Sequence, residues 1–487
     1  MKQQGMLFTF LFFISIIASS QKNKEKVPDH SKDKQDIVAS LNSKYDYYKE
    51  RAMKIWNYAE VGFKEEKSTA LLQQTLKENG FTIQSGVAEI PTAFVASFGS
   101  GSPIIGILAE FDALPGMSQQ AVPEKKPIEG KNAGQACGHH LFGVASVASA
   151  IEIKKLIEQK KLSGTIRIYG CPAEEGGSGK VYMVRAGLFN DVDVVIHWHP
   201  DEHNAITMTS ALANTSAKFR FKGIAAHASM APEKGRSALD AVEAMDNMVN
   251  MMREHVPQET RIHYVITHGG KAPNIVPDFA EVYYYVRSPD RSIVQSVFER
   301  VVKASKGAAM GTETKTDYEI IGGTYDLLIN QSLARAMQKN LEKVGGITYT
   351  PQEIDFAKKI QTSFDFTYPS IDSAAIVEKL KTQEDAGGGS TDVGDVSWTV
   401  PTVGLRAATW VPGTPGHSWQ AVACGGTEIG TKGMMIAAKT MALTAIDMYT
   451  DPALIEKAKQ EFKNSRGNNF QYKALLGDRK PAFNYRD

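Results

Sequence analysis

The sequence predicts an α/β fold with a mostly parallel sheet, interrupted by an inserted α+β unit. Strand-like apolar runs alternate with helix-like segments over residues 102–196, which is typical of a parallel sheet covered by helices on both faces. The pattern changes near Ala211 and returns near Tyr325. A chain of 487 residues is also long enough for about three domains. We therefore expect one α/β domain formed by two stretches of chain, with a second domain between them.

The first stretch of the α/β domain, residues 35–210, is predicted to begin with a helix. Apolar spacing favours a helix over residues 35–79, and Gly80 is a stop signal. The apolar runs IIGILAEF, TIRIYGC and DVVI predict three buried strands. Helical spacing over residues 141–159 and 179–186 places helices between these strands.

Residues 211–324 carry the order strand, helix, strand, strand, helix, strand. The runs SAKFRFKGI, ETRIHYVITHGG, FAEVYYYVR and KTDYEII predict the strands, and residues 237–255 and 292–304 the helices. This order is that of the ferredoxin-like unit. The α/β domain is expected to resume over residues 325–450, and residues 451–487 form a C-terminal tail to which the sequence assigns no function.

Charge and composition exclude two broad classes of protein. The 55 basic residues nearly balance the 54 acidic ones, whereas an electrostatic nucleic-acid binder has a basic excess. Hydrophobic residues make up 42% of the chain and charged residues 22%, which is ordinary for a folded globular protein and not for a disordered one. We expect a soluble globular protein with no nucleic-acid partner.

The N-terminus predicts export. Lys2 precedes an apolar run at residues 7–18, and small residues then lead into a polar stretch, which is the order of a secretory signal peptide. The run is short for a membrane span. We expect a signal peptide over residues 1–20, a polar tether over residues 21–34, and a periplasmic or secreted mature chain without a membrane span. An uncleaved N-terminal anchor is the alternative.

The cysteines and four polar fragments predict a metal site. Three widely spaced cysteines leave at least one free thiol, unlike a disulfide framework. The fragments CGHH, PAEEGG, HWHP and PGHSW mostly follow predicted strands, at the edge where open α/β sheets bind ligands. Thiolate, imidazole and carboxylate ligands suit zinc, and imidazole with carboxylate also admits Mn, Co or Ni.

The adjacent glutamates Glu174 and Glu175 indicate a division of labour. One carboxylate can bind metal while the other acts as general base towards a water molecule. Each fragment alone is more often structural: alternate strand residues share one face, and a glutamate pair beside glycines is usually a solvated turn. Because all four fragments belong to one predicted sheet, we favour the metal site.

On these residues the chain resembles the M20 family of metallopeptidases and amidohydrolases, in the branch that uses a cysteine in its metal site. The motifs AEFDALPG, AGQACGHHLFG, CPAEEGGSGK, HWHP and PGHSW follow that branch in order. KGIAAHAS and PNIVPDFAEVYYYVR match its inserted dimerisation domain. The resemblance extends over residues 35–450, and EFDALPG, CGHHLFG and GGGSTDVGDVSW are most similar to the p-aminobenzoyl-glutamate hydrolase group.

The resemblance implies a homodimer with two divalent metal ions in each chain, Mn or Zn. Cys137 would bridge the two ions, and Glu174 would be the general base. Asp112 would support the site without binding metal. The remaining implied ligands are His139, Glu175, His199 and His417.

The resemblance also assigns roles in the inserted domain. His227 would reach the active site of the partner subunit and stabilise an oxyanion. Asn274 and Arg287 would hold the substrate, with Arg287 pairing a terminal carboxylate. Without the motifs, His227 is typical of a turn histidine and Arg287 of a surface arginine at a strand end. His140 replaces the aspartate usual in the branch, which favours the aminobenzoyl-glutamate-like group over hydrolases of auxin conjugates or hippurate.

Asp392 and Asp395 lie in a glycine-rich stretch where they either shape the pocket or cap a helix and form turns.

The predicted function is cleavage of the amide in a small N-acyl amino acid, such as p-aminobenzoyl-glutamate, with Glu174 as base. A general aminoacylase or dipeptidase of the same fold is the alternative. A periplasmic peptide-binding protein on an inactive scaffold is less favoured, because it predicts a missing ligand or base.

Overall fold

The computed structural model describes residues 30–382 and 385–486. Residues 1–29, which hold the predicted signal peptide and most of the predicted tether, lie outside the described residues, and export stays a prediction. A helix already begins at Ser31, inside the range predicted for the tether. Across the described ranges, every helix is too short or too polar to cross a membrane.

The strands form one large sheet, one four-stranded sheet and two short pairs. The strands of the described chain are β1 (Thr82–Ser85), β2 (Phe94–Ser100), β3 (Ile104–Glu110), β4 (Leu114–Pro115), β5 (Ala133–Gly134), β6 (Gly164–Cys171), β7 (Val194–Asp201), β8 (Ala205–Ile206), β9 (Thr209–Ser210), β10 (Ala213–Lys222), β11 (Arg261–His268), β12 (Phe279–Ser288), β13 (Lys315–Thr324), β14 (Asp385–Ala386) and β15 (Thr402–Ala408).

The large sheet has seven strands in the order β1-β2-β6-β3-β7-β15-β8. Its four central strands are mutually parallel, and the strands that flank them on both sides run antiparallel to their neighbours. The central strands are apolar along most of their length because both faces of the sheet are covered.

Helices cover the large sheet and one face of the smaller one. The helices are α1 (Ser31–Ser43), α2 (Tyr45–Tyr58), α3 (Glu66–Glu78), α4 (His139–Glu158), α5 (Glu174–Gly177), α6 (Gly179–Arg185), α7 (Ala238–Met252), α8 (Arg291–Gly311), α9 (Gln331–Val344), α10 (Pro351–Gln361), α11 (Val393–Ser397), α12 (Trp419–Gly425), α13 (Glu428–Thr450) and α14 (Pro452–Arg466). Helices α4 and α13 carry apolar residues on nearly every side, and they pack against each other and against the large sheet.

The prediction of one helix over residues 35–79 is wrong in detail, because this segment forms α1, α2 and α3. The chain turns at Lys44, and α2 ends at Ala59, which has a left-handed backbone with a φ of 46°. Phe63 is also left-handed, with a φ of 64°. Neither residue type signals such a conformation in a sequence.

The inserted domain is a four-stranded antiparallel sheet in the order β11-β12-β10-β13, with α7 and α8 on one face. Strand β12 alternates between buried and partly buried residues, so that Ala280, Val282, Tyr284 and Val286 face the helices. This arrangement is the predicted ferredoxin-like unit. It has a hydrophobic core of its own, separate from that of the α/β domain.

The predicted C-terminal tail is partly helical. Helix α14 begins at Pro452, with Asp451 as its N-cap. The segment after it, residues 467–486, crosses back over the α/β domain and buries Leu475 and Leu476. We call residues 467–486 the C-terminal strap.

Candidate metal centre

The carboxyl ends of the four parallel strands meet at one edge of the sheet, and the polar fragments collect there. Glu110 is the last residue of β3, and the turn α5, with Glu174 and Glu175, follows β6. His197 and His199 lie on β7, two positions apart. This edge is where open α/β sheets place their ligand sites.

A glycine brings Cys137 to this edge. Gly138 has a φ of +75°, and a Cβ there would lie 2.7 Å from Cβ of Pro200. The loop before α4 can therefore pack tightly against the end of β7. As a result, Cys137 Sγ lies 3.4 Å from His199 Nε2.

Two groups of three potential metal ligands share Cys137. One consists of Cys137, His139 and His199, and the other of Cys137, Glu175 and His417. Within each group the ligand atoms all lie within 4.8 Å of one another. One thiol placed between two sets of ligands is the geometry that a bridging cysteine requires.

The chemistry of the donors fits divalent transition metals. His139 Nε2 lies 3.1 Å from Glu110 Oε2 and Glu175 Oε1 lies 2.9 Å from His417 Nε2, but neither buried atom makes a well-aligned hydrogen bond in the described chain. Buried nitrogen and oxygen atoms grouped in this way suit a bound cation. Burial lowers the pKa of His199 to about 3, so its imidazole is neutral, as a metal ligand must be. Burial raises the pKa of the Cys137 thiol, and a bound cation would favour its thiolate form.

Asp112 supports two of these ligands without joining either group. Its Oδ1 lies 2.8 Å from His139 Nδ1, which leaves Nε2 of that ring for a metal. Its Oδ2 accepts a hydrogen bond of 2.9 Å from the backbone N–H of Glu175. Carboxylates in this position orient histidine ligands and fix their tautomer.

Glu174 lies beside the ligands. Its carboxylate is within 4.8 Å of ligand atoms of His139 and Glu175. Burial raises the pKa of Glu174 well above its usual range, and the nearby carboxylates of Glu110 and Glu175 add to the effect. A raised pKa makes the ionised carboxylate a stronger base, which suits a role in proton transfer.

His417 closes the site from a loop. Its side chain is 56% exposed, yet its Nε2 lies 2.9 Å from Glu175 Oε1. The left-handed backbone of His417, with a φ of 56°, and a hydrogen bond from its N–H to the carbonyl of Ala136 hold the loop against the Cys137 loop. The position of this candidate ligand is thus set by packing between two loops that are distant in sequence.

Lys180 lies at the centre of a buried ionic cluster that the sequence did not predict. Its Nζ is 2.6 Å from both Glu110 and Asp392, and all three side chains are buried. Burial alone would lower the pKa of Lys180, but the two carboxylates outweigh it and raise that pKa well above its usual range. Glu110 Oε2 also lies 3.1 Å from His139 Nε2, so the cluster reaches the candidate metal ligands.

Asp392 lines the pocket and does not cap α11, the helix that it precedes. Its side chain makes no capping hydrogen bond to α11 and instead accepts bonds from Lys180 N and Nζ. It lines the cavity described below. Asp395 accepts hydrogen bonds from Tyr325 N and from the Tyr472 hydroxyl of the C-terminal strap.

Two further histidines near the ligands have other contacts. The ring of His140, which departs from the usual motif, has its Nε2 3.0 Å from the carbonyl of Gly425. Burial lowers the pKa of His140 to about 3. The ring of His197 fills the space above Gly404, where a Cβ would lie 2.2 Å from Nε2.

A cavity of about 720 Å³ opens beside the two ligand groups. The α/β domain contributes Glu174 and Arg406 to its wall, and the inserted domain contributes Tyr285 and Arg287. Arg406 is paired with Asp201. By contrast, Arg287 Nε is buried without a hydrogen-bond partner, and no described carboxylate forms an ion pair with this guanidinium.

His227 and Asn274 lie outside this cavity. Both are exposed on the inserted domain, where the backbone N–H of Ala228 donates to the carbonyl of Asn274 at 3.1 Å. His227 and Ile275 pair through an isolated β-bridge. His227 and Asn274 therefore lie near each other, but away from the candidate metal ligands of their own chain.

Comparison with known proteins shows which family the chain belongs to. Residues 213–312 match the family model described as the peptidase dimerisation domain. The chain is 41% identical over 440 residues to one of the subunits of the p-aminobenzoyl-glutamate hydrolase of Escherichia coli, covering 85% of this chain and 91% of that protein. The chain belongs to the M20 family.

One further relative and one solved structure are also similar to the chain. The Xaa-Arg dipeptidase of Mus musculus is 28% identical over 84% of this chain and 87% of that protein. The crystal structure of an aminobenzoyl-glutamate utilization protein from Klebsiella pneumoniae is 18% identical, with a TM-score of 0.59 over 84% of this chain and 97% of that chain, and shows the same fold. The predictions of the family, the fold and a hydrolase of amide bonds are confirmed.

Proposed function

We propose that this M20 hydrolase uses two divalent metal ions, Mn²⁺ or Zn²⁺, to cleave N-acyl glutamates such as p-aminobenzoyl-glutamate. The observation that carries the proposal is the pair of ligand groups that share Cys137. Cys137 would bridge the ions, with His139 and His199 completing one site. Glu175 and His417 would complete the other.

The two ions would polarise the amide carbonyl and lower the pKa of a water molecule. Glu174 accepts the proton of that water as it attacks the carbonyl carbon, and then donates the proton to the departing amine. Its position within 4.8 Å of His139 and Glu175 ligand atoms supports this role. Asp112 keeps the His139 ring in the orientation that the site needs.

The cavity favours a small anionic substrate. Its volume of about 720 Å³ is within the range of sites for small molecules. Arg287 offers a guanidinium group without a carboxylate partner among the described residues, and such a fork binds a carboxylate through two parallel hydrogen bonds. The similarity to the Escherichia coli p-aminobenzoyl-glutamate hydrolase supports glutamate as the amino acid.

The inserted domain would form a homodimer in which His227 and Asn274 reach the partner's cavity. Both residues are exposed, and they lie beside the exposed apolar side chains of Met230 and Ile275. His227 would stabilise the oxyanion that forms at the attacked carbonyl. The Escherichia coli relative is named as one of two different subunits of its hydrolase, so a heterodimer is also worth testing.

The N-terminal apolar run supports a periplasmic or secreted location.

The direct test is release of p-aminobenzoate from p-aminobenzoyl-glutamate by residues 21–487. The protein is assayed as purified, after chelation, and after Mn²⁺ or Zn²⁺ is restored. We expect activity that chelation abolishes and metal restores. Failure of the metal-loaded dimer to cleave this substrate would reject the substrate proposed here.

The second candidate is a dipeptidase with the same metal site, which the similarity to the Xaa-Arg dipeptidase favours. Arg287 would then bind the carboxylate of the C-terminal residue. A panel of acyl-glutamates and dipeptides, compared by kcat/KM, separates the two activities. Preference for dipeptides by at least tenfold would favour this second candidate.

A further inference from the structure

The C-terminal strap ends at the metal centre. Two of its side chains converge on one backbone carbonyl, that of Glu175, which lies between the candidate base and the glycines of the α5 turn. The Tyr485 hydroxyl donates to this carbonyl at 2.9 Å, and Arg486 Nη2 donates to it as well. Arg486 also lines the cavity.

The turn that receives these bonds is irregular. Glu175 has φ and ψ of −70° and 73°, and Gly176 has a φ of +83°, so neither residue has helical geometry. The two residues that flank this turn, Ala173 and Ser178, have left-handed backbones with φ of 55° and 57°. This conformation is costly for residues other than glycine and persists only where surrounding contacts hold it. The conformation matters because Glu174 and Glu175 point their carboxylates at the same ligand cluster.

The Tyr485 ring occupies a slot that glycines form. A Cβ at Gly62 would lie 2.1 Å from the Tyr485 hydroxyl oxygen, and a Cβ at Gly177 would lie 3.2 Å from it. Phe63 packs edge-on against the Tyr485 ring, with centroids 5.6 Å apart. The fit therefore depends on the absence of side chains at these two positions.

The rest of the strap is anchored before it reaches the site. Arg185 donates to the carbonyls of Gly477 and Arg479, at 2.7 and 2.8 Å. The Tyr182 hydroxyl lies 3.3 Å from the carbonyl of Lys480. The two Arg185 bonds fix the strap to α6, so Tyr485 and Arg486 approach the turn from a fixed starting point whether or not the longer Tyr182 contact is made.

We propose that Tyr485 and Arg486 are positioning residues of the active site, which hold the Glu174–Glu175 turn so that one carboxylate binds metal and the other faces the substrate. The inference rests on the proposed function for its catalytic consequence. Its consequence for metal binding does not depend on the substrate. Partners that orient metal ligands typically contribute about 10- to 100-fold to metal affinity or activity.

The test compares Tyr485→Phe and Arg486→Met with a matched control, Tyr182→Phe. The control also removes one tyrosine hydroxyl that binds the strap, but at α6 and not at the turn. Zn²⁺ affinity is measured for each full-length dimer by competition with a chromophoric chelator. The kcat for p-aminobenzoyl-glutamate is measured at saturating Zn²⁺.

We expect at least one Zn²⁺ of the pair to bind about tenfold or more weakly in Arg486→Met and in Tyr485→Phe, with a similar fall in kcat. Tyr182→Phe should stay within about threefold of the unmodified protein in both measurements, since it leaves the turn intact. If Tyr485→Phe and Arg486→Met both bind Zn²⁺ within about threefold of the unmodified protein, the proposal is overturned, even if their kcat values fall.

The failure of the substrate proposal can be told apart from the failure of this one. If the unmodified protein binds two Zn²⁺ ions but does not cleave the substrate, the substrate proposal fails, while the affinity comparison still decides the role of the strap. Tyr485→Phe is isosteric and carries the test if Arg486→Met does not fold.

Discussion

Asp112 Oδ1 lies 2.8 Å from Nδ1 of His139, and the second oxygen of the same carboxylate accepts the backbone N–H of Glu175. One buried side chain thus connects a ligand of the first candidate metal with a ligand of the second. This connection fixes the position of one ligand group relative to the other.

Asp112→Asn should weaken this connection. The amide can replace only one of the two acceptors, because its NH₂ group would face either the His139 ring or the N–H of Glu175. We expect Zn²⁺ affinity or kcat to fall about 10- to 100-fold. Asp395→Asn, at an equally buried carboxylate away from the ligands, is the matched control. An Asp112→Asn protein with the affinity and kcat of its control would contradict the orienting role.

Glu174→Gln should separate metal binding from turnover. Glu174 belongs to neither ligand group that contains Cys137, so elemental analysis of the variant should still find two Zn²⁺ ions in each chain. Its kcat should fall about 10²- to 10⁴-fold, because glutamine cannot accept the proton of the attacking water. Near-normal turnover would remove Glu174 from the role of base.

Lys180→Met should destabilise the α/β domain, since it leaves the buried carboxylates of Glu110 and Asp392 without their cation. Breaking a buried ion pair from one side costs about 3–5 kcal/mol. Lys49→Met removes an exposed pair with Glu428 and should cost about 1 kcal/mol or less. Thermal unfolding of the metal-free proteins measures both. Equal effects of the two substitutions would show that the cluster contributes no more than a surface pair.

His227→Ala should inactivate the site of the partner. If so, a mixture of His227→Ala and Glu174→Gln proteins should form heterodimers with one complete site, which combines Glu174 of one chain with His227 of the other. We expect each variant alone to be nearly inactive. After the subunits exchange, each heterodimer in the mixture should have up to half of the activity of an unmodified dimer, because one of its two sites is complete. A mixture no more active than its components, with exchange verified by tagged chains, would show that His227 does not act across the interface.

The sequence predicted where the candidate ligands come together because their fragments mostly follow strands, whereas the role of each residue was implied by the resemblance to the M20 family. Cys137 and His139 are two positions apart at the point where α4 begins, and Glu174 and Glu175 are adjacent. Parallel strands bring their carboxyl ends to one edge by their topology alone, so motifs of this kind meet without any knowledge of side-chain packing.

The remaining parts of the site depend on contacts between distant segments. Lys180 meets Glu110 and Asp392, and the second of these lies 212 positions further along the chain. The C-terminal strap returns Tyr485 to a turn 310 positions earlier. A polar tail and a lysine after a glycine-rich turn carry no periodicity that would indicate such partners. The glycine slot at Gly62 and Gly177 is a signal only once the fold is known.

The most direct test of a bridging Cys137 is anomalous diffraction at the zinc edge from crystals of residues 21–487 grown with Zn²⁺. We expect two anomalous peaks in each chain, one on each side of Cys137 Sγ, with His139 and His199 at the first and Glu175 and His417 at the second. A single peak, or two peaks of which only one contacts Cys137, would contradict the two-metal centre on which the proposed amidohydrolase depends.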